Sequence, residues 1–205
     1  MCGISVIINK DIKKIYNKLL LSLYQIKHRG YDSVGMLFIN DKIIRLYKEI
    51  SIKNKLAFHF LNNHIDNDMY YIGIGHNRMA SLGNNNIDNT HPIISNNKIF
   101  VIHNGTISNF DYLNKSFFNN KYDNDTHIIT ELIYLFYDKY KDMIKSIKYT
   151  TKLLKGTYGL IIYNIELCNT IYIIKNDIPL MIGYNDDSIY ITSELYGFCN
   201  EVNYF

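Results

Sequence analysis

Met1-Cys2-Gly3-Ile4-Ser5-Val6-Ile7-Ile8 opens the chain, and its β-branched run over 4–8 reads as a strand that begins almost at the terminus. Residues 11–27 follow with apolar side chains at Ile12, Ile15, Leu19, Leu20, Leu23 and Ile26. That is helical spacing, with Asp11 at the N-terminal end, where a negative charge is favoured. Arg29-Gly30-Tyr31-Asp32 breaks the pattern as a loop, and residues 34–38 and 43–46 read as strands joined by the turn pair Asn40-Asp41. Residues 52–61 read as a second helix. Tyr71-Ile72-Gly73-Ile74 is a buried strand running into Gly75-His76-Asn77-Arg78, and a loop over 81–97 leads to the strand Ile99-Phe100-Val101-Ile102, which stops at His103-Asn104-Gly105. Asp125 is placed as the N-cap or a first-turn residue of a helix with the apolar stripe Ile128, Ile129, Leu132, Ile133 and Leu135. From Tyr158 onward come three or four short strands, with turns at Asn164, Asn176-Asp177 and Asn185-Asp186-Asp187. Strands bracket a block of helices and are linked as hairpins. The expected class is therefore α+β with antiparallel sheets covered by helices, in a single domain over 1–205 without a linker.

Composition narrows the function. Of 205 residues 47% are hydrophobic and 20% charged, enough to bury a core. The net charge of +3, from 22 Lys+Arg against 19 Asp+Glu, is too small to imply a nucleic-acid or anionic-membrane partner. The longest apolar stretches, such as Lys18-Leu19-Leu20-Leu21-Ser22-Leu23, fall far short of the ~20 residues of a membrane helix, and Asp11, Lys13 and Lys14 interrupt any secretory signal. Cys2, Cys168 and Cys199 are odd in number and scattered, so no disulfide framework is expected and the compartment is reducing, that is, cytoplasmic. His28, His76, His91, His103 and His127 lack metal-ligand spacing, so no metal site is expected, and Gly73-Ile74-Gly75 lacks the third glycine of a dinucleotide fingerprint.

Four features carry chemistry. Removal of Met1 would leave Cys2 with thiol and α-amino group on one residue. An α-amino group of pKa ~7.7–8.0 is partly unprotonated at neutral pH and can serve its own thiol as general base. Arg78, at a strand end and followed by Ser81, can clamp a carboxylate. Asn104 next to Gly105 pairs an amide side chain with a glycine N–H, the composition of an oxyanion hole. Asp125, if it points inward, can bind an ammonium group. Each has a plainer role too: Cys2 as a small buried residue, Arg78 as a surface arginine, Asn-Gly as a tight turn, Asp125 as a helix cap. Residues 106–110 read poorly as the second strand a hairpin needs, which weakens the turn. Together the four suggest a site for an amino acid.

Met1-Cys2-Gly3-Ile4 with His28-Arg29-Gly30-Tyr31-Asp32-Ser33-Val34-Gly35 resembles the start of a class II glutamine amidotransferase domain, one of the N-terminal-nucleophile hydrolases. Gly75-His76-Asn77-Arg78-Met79-Ala80-Ser81, Asn89-Thr90-His91-Pro92, His103-Asn104-Gly105-Thr106-Ile107-Ser108-Asn109 and Asn124-Asp125-Thr126 follow in the family's order at similar spacing. Leu154-Lys155-Gly156-Thr157-Tyr158-Gly159 and Ile178-Pro179-Leu180-Met181-Ile182-Gly183 extend the similarity to about Glu194-Leu195. Within the family, Tyr31-Asp32-Ser33 and the Pro-Leu-x-Ile-Gly segment are most similar to the glutaminase domain of glutamine–fructose-6-phosphate aminotransferase; the phosphoribosyl-pyrophosphate amidotransferase branch is the nearest competitor.

The resemblance implies a four-layer α-β-β-α sandwich of two antiparallel sheets and a specific chemistry. Cys2 would attack the side-chain amide of L-glutamine, with Asn104 and the Gly105 N–H as oxyanion hole. Arg78, Ser81 and Asp125 would recognise the glutamine backbone, Met79 and His91 would line the site, and Arg29 would support it, with no metal or organic cofactor implied. Met79 stands where the aminosugar synthases usually carry Trp, and a flexible thioether cannot copy an indole lid. Ile93 stands where they often have a second His. No sugar-isomerase half fits in 205 residues, and the C-terminus comes about ten residues after Glu194, where further strands are expected. The chain therefore reads as a glutaminase whose C-terminal end is truncated, or whose synthase partner is a separate domain or subunit.

Overall fold

The computed structural model describes residues 2–168 and 170–205. In chain order its elements are β1 (Gly3–Lys13), α1 (Tyr16–Gln25), β2 (Ser33–Ile39), β3 (Ile44–Ile50), α2 (Ala57–Leu61), β4 (Tyr70–Arg78), β5 (Ile93–Ser95) and β6 (Ile99–Ile107). There follow α3 (Phe110–Phe118), α4 (Asp125–Tyr140), α5 (Met143–Leu153), β7 (Gly156–Asn164), β8 (Ile171–Asn176), β9 (Met181–Tyr184) and β10 (Ser188–Thr192), with short 3-10 turns at Lys27–Arg29 and Leu195–Phe198. They form two compact units, the first made of residues 2–81, 85–92 and 179–205, the second of 82–84 and 93–178.

The first unit holds a six-stranded sheet in the order β3-β2-β4-β1-β10-β9, every pairing antiparallel. Strand alternation sends Ile7 to one face, where it joins Leu19 and Leu23 of α1, Met36 and Phe38 of β2, Tyr70 of β4, and Phe58 and Leu61 of α2 in one core. The strand at the chain's start is longer than its β-branched run. It continues past a register shift between Ile8 and Lys13 to the pair Lys13↔Tyr70, and the Lys10 N–H donates to Asp187 O at 2.8 Å. Asp11 is therefore in a strand and does not start a helix; α1 begins at Tyr16, with no acidic residue in its first turn. Pairing with β4 and with the 185–187 turn outweighs the local periodicity. The helix expected over 52–61 shrinks to α2, because Ile52 and Lys55 exchange both backbone hydrogen bonds at 3.0 Å in a tight turn ahead of it.

The second unit holds the four-stranded antiparallel sheet β5-β6-β7-β8. Ile128, Ile129, Leu132 and Ile133 of α4 are buried against Val101 and Ile99 of β6 and Leu160 and Ile162 of β7, while Leu135 is exposed. β5 lies inside the loop expected over 81–97. β6 does not stop at Asn104-Gly105: it pairs with β7 without a break from Ile99↔Asn164 to Ile107↔Gly156. Each unit is one antiparallel sheet with helices packed against it, so the class is α+β, as the strand and helix order implied. Among the described residues no helix is long and apolar enough to cross a membrane.

Candidate active site

In the first unit the candidate residues gather at the β1–β4 end. The ladder between these strands starts at Gly3↔Asn77, so antiparallel register carries Cys2 alongside the last residue of β4, Arg78, and the residue after it. Half-buried Cys2 meets Met79 twice: the Met79 N–H donates to Sγ at 3.4 Å, and Sγ lies 3.7 Å from the Met79 carbonyl oxygen. Both contacts use the backbone of residue 79, so they do not require the Trp that the aminosugar synthases carry there. Arg78 is 2% exposed, which excludes a surface role; a buried guanidinium belongs where an anion can meet it.

Side chains from elsewhere in the sequence fix this corner. Arg29, also buried, donates from Nε to the Cys2 carbonyl at 2.8 Å and from Nη1 to Glu194 Oε1 at 2.5 Å. His28 Nε2 lies 2.8 Å from the other Glu194 oxygen. Burial works to raise the Glu194 carboxyl, but Arg29 and His28 together hold it below the usual glutamate range. Asp32 clips the segment after β4: its N–H donates to Arg78 O at 3.0 Å and its Oδ2 accepts the Ala80 N–H at 2.7 Å. Ser81 is exposed, and its N–H closes a turn onto Met79 O at 2.9 Å. His91 is buried, with Nδ1 3.0 Å from His76 Nε2 of β4. Its segment lies flat on β2 because Gly35 has no side chain; a Cβ there would sit 1.7 Å from His91 O. His91 thus ties the 85–92 segment to β2 and β4.

In the second unit Asn104, 1% exposed, pairs with Gly159 and Gly105 with Tyr158 in mid-ladder, so the tight-turn reading of this Asn-Gly pair fails. Gly105 has φ +141°, and a Cβ on it would lie 2.0 Å from Thr157 O. Only glycine fits that backbone. Asp125 is the first residue of α4 and not its cap; the cap is Asn124, whose Oδ1 accepts the Thr126 N–H at 2.8 Å. Relieved of capping, the Asp125 carboxylate is buried, accepts the Ile107 N–H at 3.1 Å and lies 3.6 Å from His103 Nδ1. Burial pushes its pKa up, but His103 and the Ile107 and Thr126 N–H groups more than offset this, leaving it below the ordinary aspartate value. This half therefore offers an ionised carboxylate beside a strand bearing an amide side chain and a glycine.

Cys2, Arg29, Arg78, Met79, Ser81 and His91 thus belong to the first unit, and Asn104, Gly105 and Asp125 to the second. Asp32, Glu194, His103 and Asn124 were given no role by sequence reasoning. Asp32 and His103 stand inside quoted motifs and could have been found there; nothing local marks Glu194. Among the described residues no group of three or more His, Cys, Asp or Glu side chains could hold a metal ion.

A family model described as a glutamine amidotransferase domain matches residues 76–200. Glutamine–fructose-6-phosphate aminotransferase of Oceanobacillus iheyensis is 33% identical over 201 residues, which cover 95% of this chain and 32% of the relative. The Sulfolobus acidocaldarius enzyme of the same name is 32% identical over 97% of the chain and 34% of the relative. The chain thus spans about a third of the length of these curated relatives. Among solved structures, the glutamine phosphoribosylpyrophosphate amidotransferase of B. subtilis superposes with a TM-score of 0.80 at 21% identity, over all of this chain and 44% of that one. A glutamine aminotransferase class-II domain protein from Silicibacter pomeroyi does so at 0.54 and 12%, over 93% and 88%. At these identities the two structures speak for the fold alone, which is that of the N-terminal-nucleophile amidotransferases. The family model and the motif order agree, and the chain belongs to the class II glutamine amidotransferase domain family.

Proposed function

We propose that this chain hydrolyses L-glutamine to L-glutamate and ammonia through a γ-glutamyl thioester on Cys2, as the glutaminase part of an aminosugar-synthase-like amidotransferase. The observation that carries the reading is the Cys2 thiol held against the backbone N–H and C=O of Met79 beside buried Arg78. With Met1 removed, the α-amino group of Cys2 takes the thiol proton and the sulfur attacks the side-chain amide carbon. The Asn104 amide and the Gly105 N–H receive the developing oxyanion. Collapse breaks the C–N bond, ammonia leaves with the proton from the amino group, and water then hydrolyses the thioester, restoring the thiol and releasing glutamate. Arg78, supported by Ser81, holds the substrate carboxylate, and Asp125, ionised despite burial, holds its ammonium group. Met79 lines the site, and His91 and Arg29 brace it. Met1 lies outside the described residues, so its removal is read by intact mass.

The names of the relatives support one acceptor. Their name points to fructose-6-phosphate as the molecule aminated, on a synthase domain or subunit beyond the third of the relatives' length that this chain spans. The phosphoribosyl-pyrophosphate branch gains no such support from a 21% identity. Unbridged Cys2, Cys168 and Cys199 suit a reducing cytoplasm. Ammonia and glutamate release from L-glutamine by the purified chain tests the reading: Cys2→Ala should drop the rate at least ~10³-fold, and unchanged turnover in that variant sinks it. A non-catalytic glutamine-binding relative is the second reading, favoured by Met79 in place of the indole lid; calorimetric glutamine binding without ammonia release would select it.

A further inference from the structure

Glu194 is separated from Arg29 by 165 positions, yet it decides where the Arg29 guanidinium points. A guanidinium is planar and rigid, so anchoring Nη1 on Glu194 Oε1 fixes the direction of Nε, the atom that donates to the Cys2 carbonyl at 2.8 Å. The residue before it reinforces the hold. Ser193 Oγ accepts the Ile4 N–H at 2.9 Å, and the Ser193 N–H donates to Ile4 O at 3.0 Å. Ser193-Glu194 therefore grips the start of β1 at two points, Ile4 directly and Cys2 through Arg29. His28, on the second oxygen, keeps the Glu194 carboxylate from rotating away.

We propose that Glu194 is a positioning residue for the nucleophile: it touches neither thiol nor substrate and acts through Arg29 to fix the backbone of Cys2, and so the direction of its sulfur. The inference rests on the glutaminase reading for its kinetic effect but not for its chemical one. A displacement near 1 Å at a nucleophile can cost up to ~100-fold in rate. In the full chain, Glu194→Ala should lower kcat by roughly 10- to 100-fold with KM within about threefold of wild type. Glu194→Gln keeps an acceptor for Arg29 Nη1 and should regain a large part of the loss.

Iodoacetamide alkylation, mapped by peptide mass, supplies a readout independent of turnover. Glu194→Ala should slow modification of Cys2 by about tenfold while leaving Cys168 unchanged. Cys199, next to the 3-10 turn that Glu194 precedes, reports whether that turn has come loose. Cys2 rates and kcat within about twofold of wild type overturn the proposal, as does a parallel rise at Cys199, which would make the effect mere unravelling. A wild-type chain that releases no ammonia, yet whose Cys2 slows on Glu194→Ala with Cys199 steady, keeps the positioning role and discards the glutaminase reading.

Discussion

The two units hold their candidate residues by opposite means. In the first, side chains reach across the sequence to fix Cys2 and Met79: Arg29, Asp32 and Glu194 contact Cys2 O, Ala80 N–H and Arg29 respectively. In the second, the backbone does the holding. Asn104 and Gly105 are rungs of the β6–β7 ladder, and Asp125 is fixed by the first turn of α4. The reason is positional. Cys2 precedes the first β1–β4 pair, so the ladder cannot orient it, whereas Gly105 has ladder pairs on both sides. The Cys2 corner should thus be broken by removing side-chain groups and the Asn104-Gly105 pair by adding atoms to the main chain.

The largest effect comes from Gly105→Ala. The new Cβ would collide with Thr157 O, a ladder partner that can retreat only by breaking sheet hydrogen bonds, and φ +141° would be strained in any case. At least about 3 kcal/mol of unfolding free energy should be lost in urea titration. Gly35→Ala meets His91 O even more closely, but that carbonyl lies in the 85–92 segment outside any strand and can shift; about 1–3 kcal/mol is expected. If Gly35→Ala proves the costlier change, the contrast between ladder and loop is wrong.

Asp125 comes next. Asp125→Ala strips the Ile107 N–H of its acceptor and leaves His103 without its carboxylate, a loss of about 2–4 kcal/mol at neutral pH. The pH dependence has a definite sign. The folded-state pKa is depressed, so the stabilisation is present above the unfolded value near ~3.9 and disappears as pH falls through the lower folded value. The stability difference between wild type and Asp125→Asn should shrink as pH falls below about 4. A difference that grows as pH falls below about 4 would show that the carboxylate is destabilised by burial and not held ionised.

Much of this was legible because the informative residues are of unusual type or sit in ordered motifs. Cys2, Arg78, Asn104-Gly105 and Asp125 stood out singly and resembled a family jointly, and short apolar runs such as 34–38 and 99–102 were strands. What escaped was set by partners far away. Asp11 looked like a helix start because nothing local reveals that Lys13 pairs with Tyr70. Asn104-Gly105 looked like a strand's end because that glycine's φ turns no chain when both flanks stay paired with β7. Glu194 has no motif of its own, only a guanidinium 165 residues earlier.

Asp32→Ala probes the side-chain strategy at moderate cost. Removing the acceptor of the Ala80 N–H should cost about 1.5 kcal/mol, the worth of a hydrogen bond to a charged group, but the effect on ammonia release should exceed the effect on stability because the freed segment includes Met79. Roughly 10-fold lower kcat with a modest Tm shift is the expected pattern. An equally small change in both would mean that the 79–81 segment holds its shape without the clip.

The smallest predicted effect separates the two roles available to a carboxylate at a helix start. Asn124 Oδ1 accepts the Thr126 N–H, so Asn124→Ala should cost about 1 kcal/mol, and Asn124→Ser, which restores a capping oxygen, should recover most of it. Were Asp125 able to take over the cap, Asn124→Ala would be close to neutral in chemical denaturation. The carboxylate would then have to turn from Ile107 and His103, and the difference between wild type and Asp125→Asn at neutral pH would narrow in the Asn124→Ala background. Additivity of the two substitutions, within about 0.5 kcal/mol, is the expected result, because a residue that caps a helix for its neighbour leaves that neighbour's carboxylate ionised and turned inward.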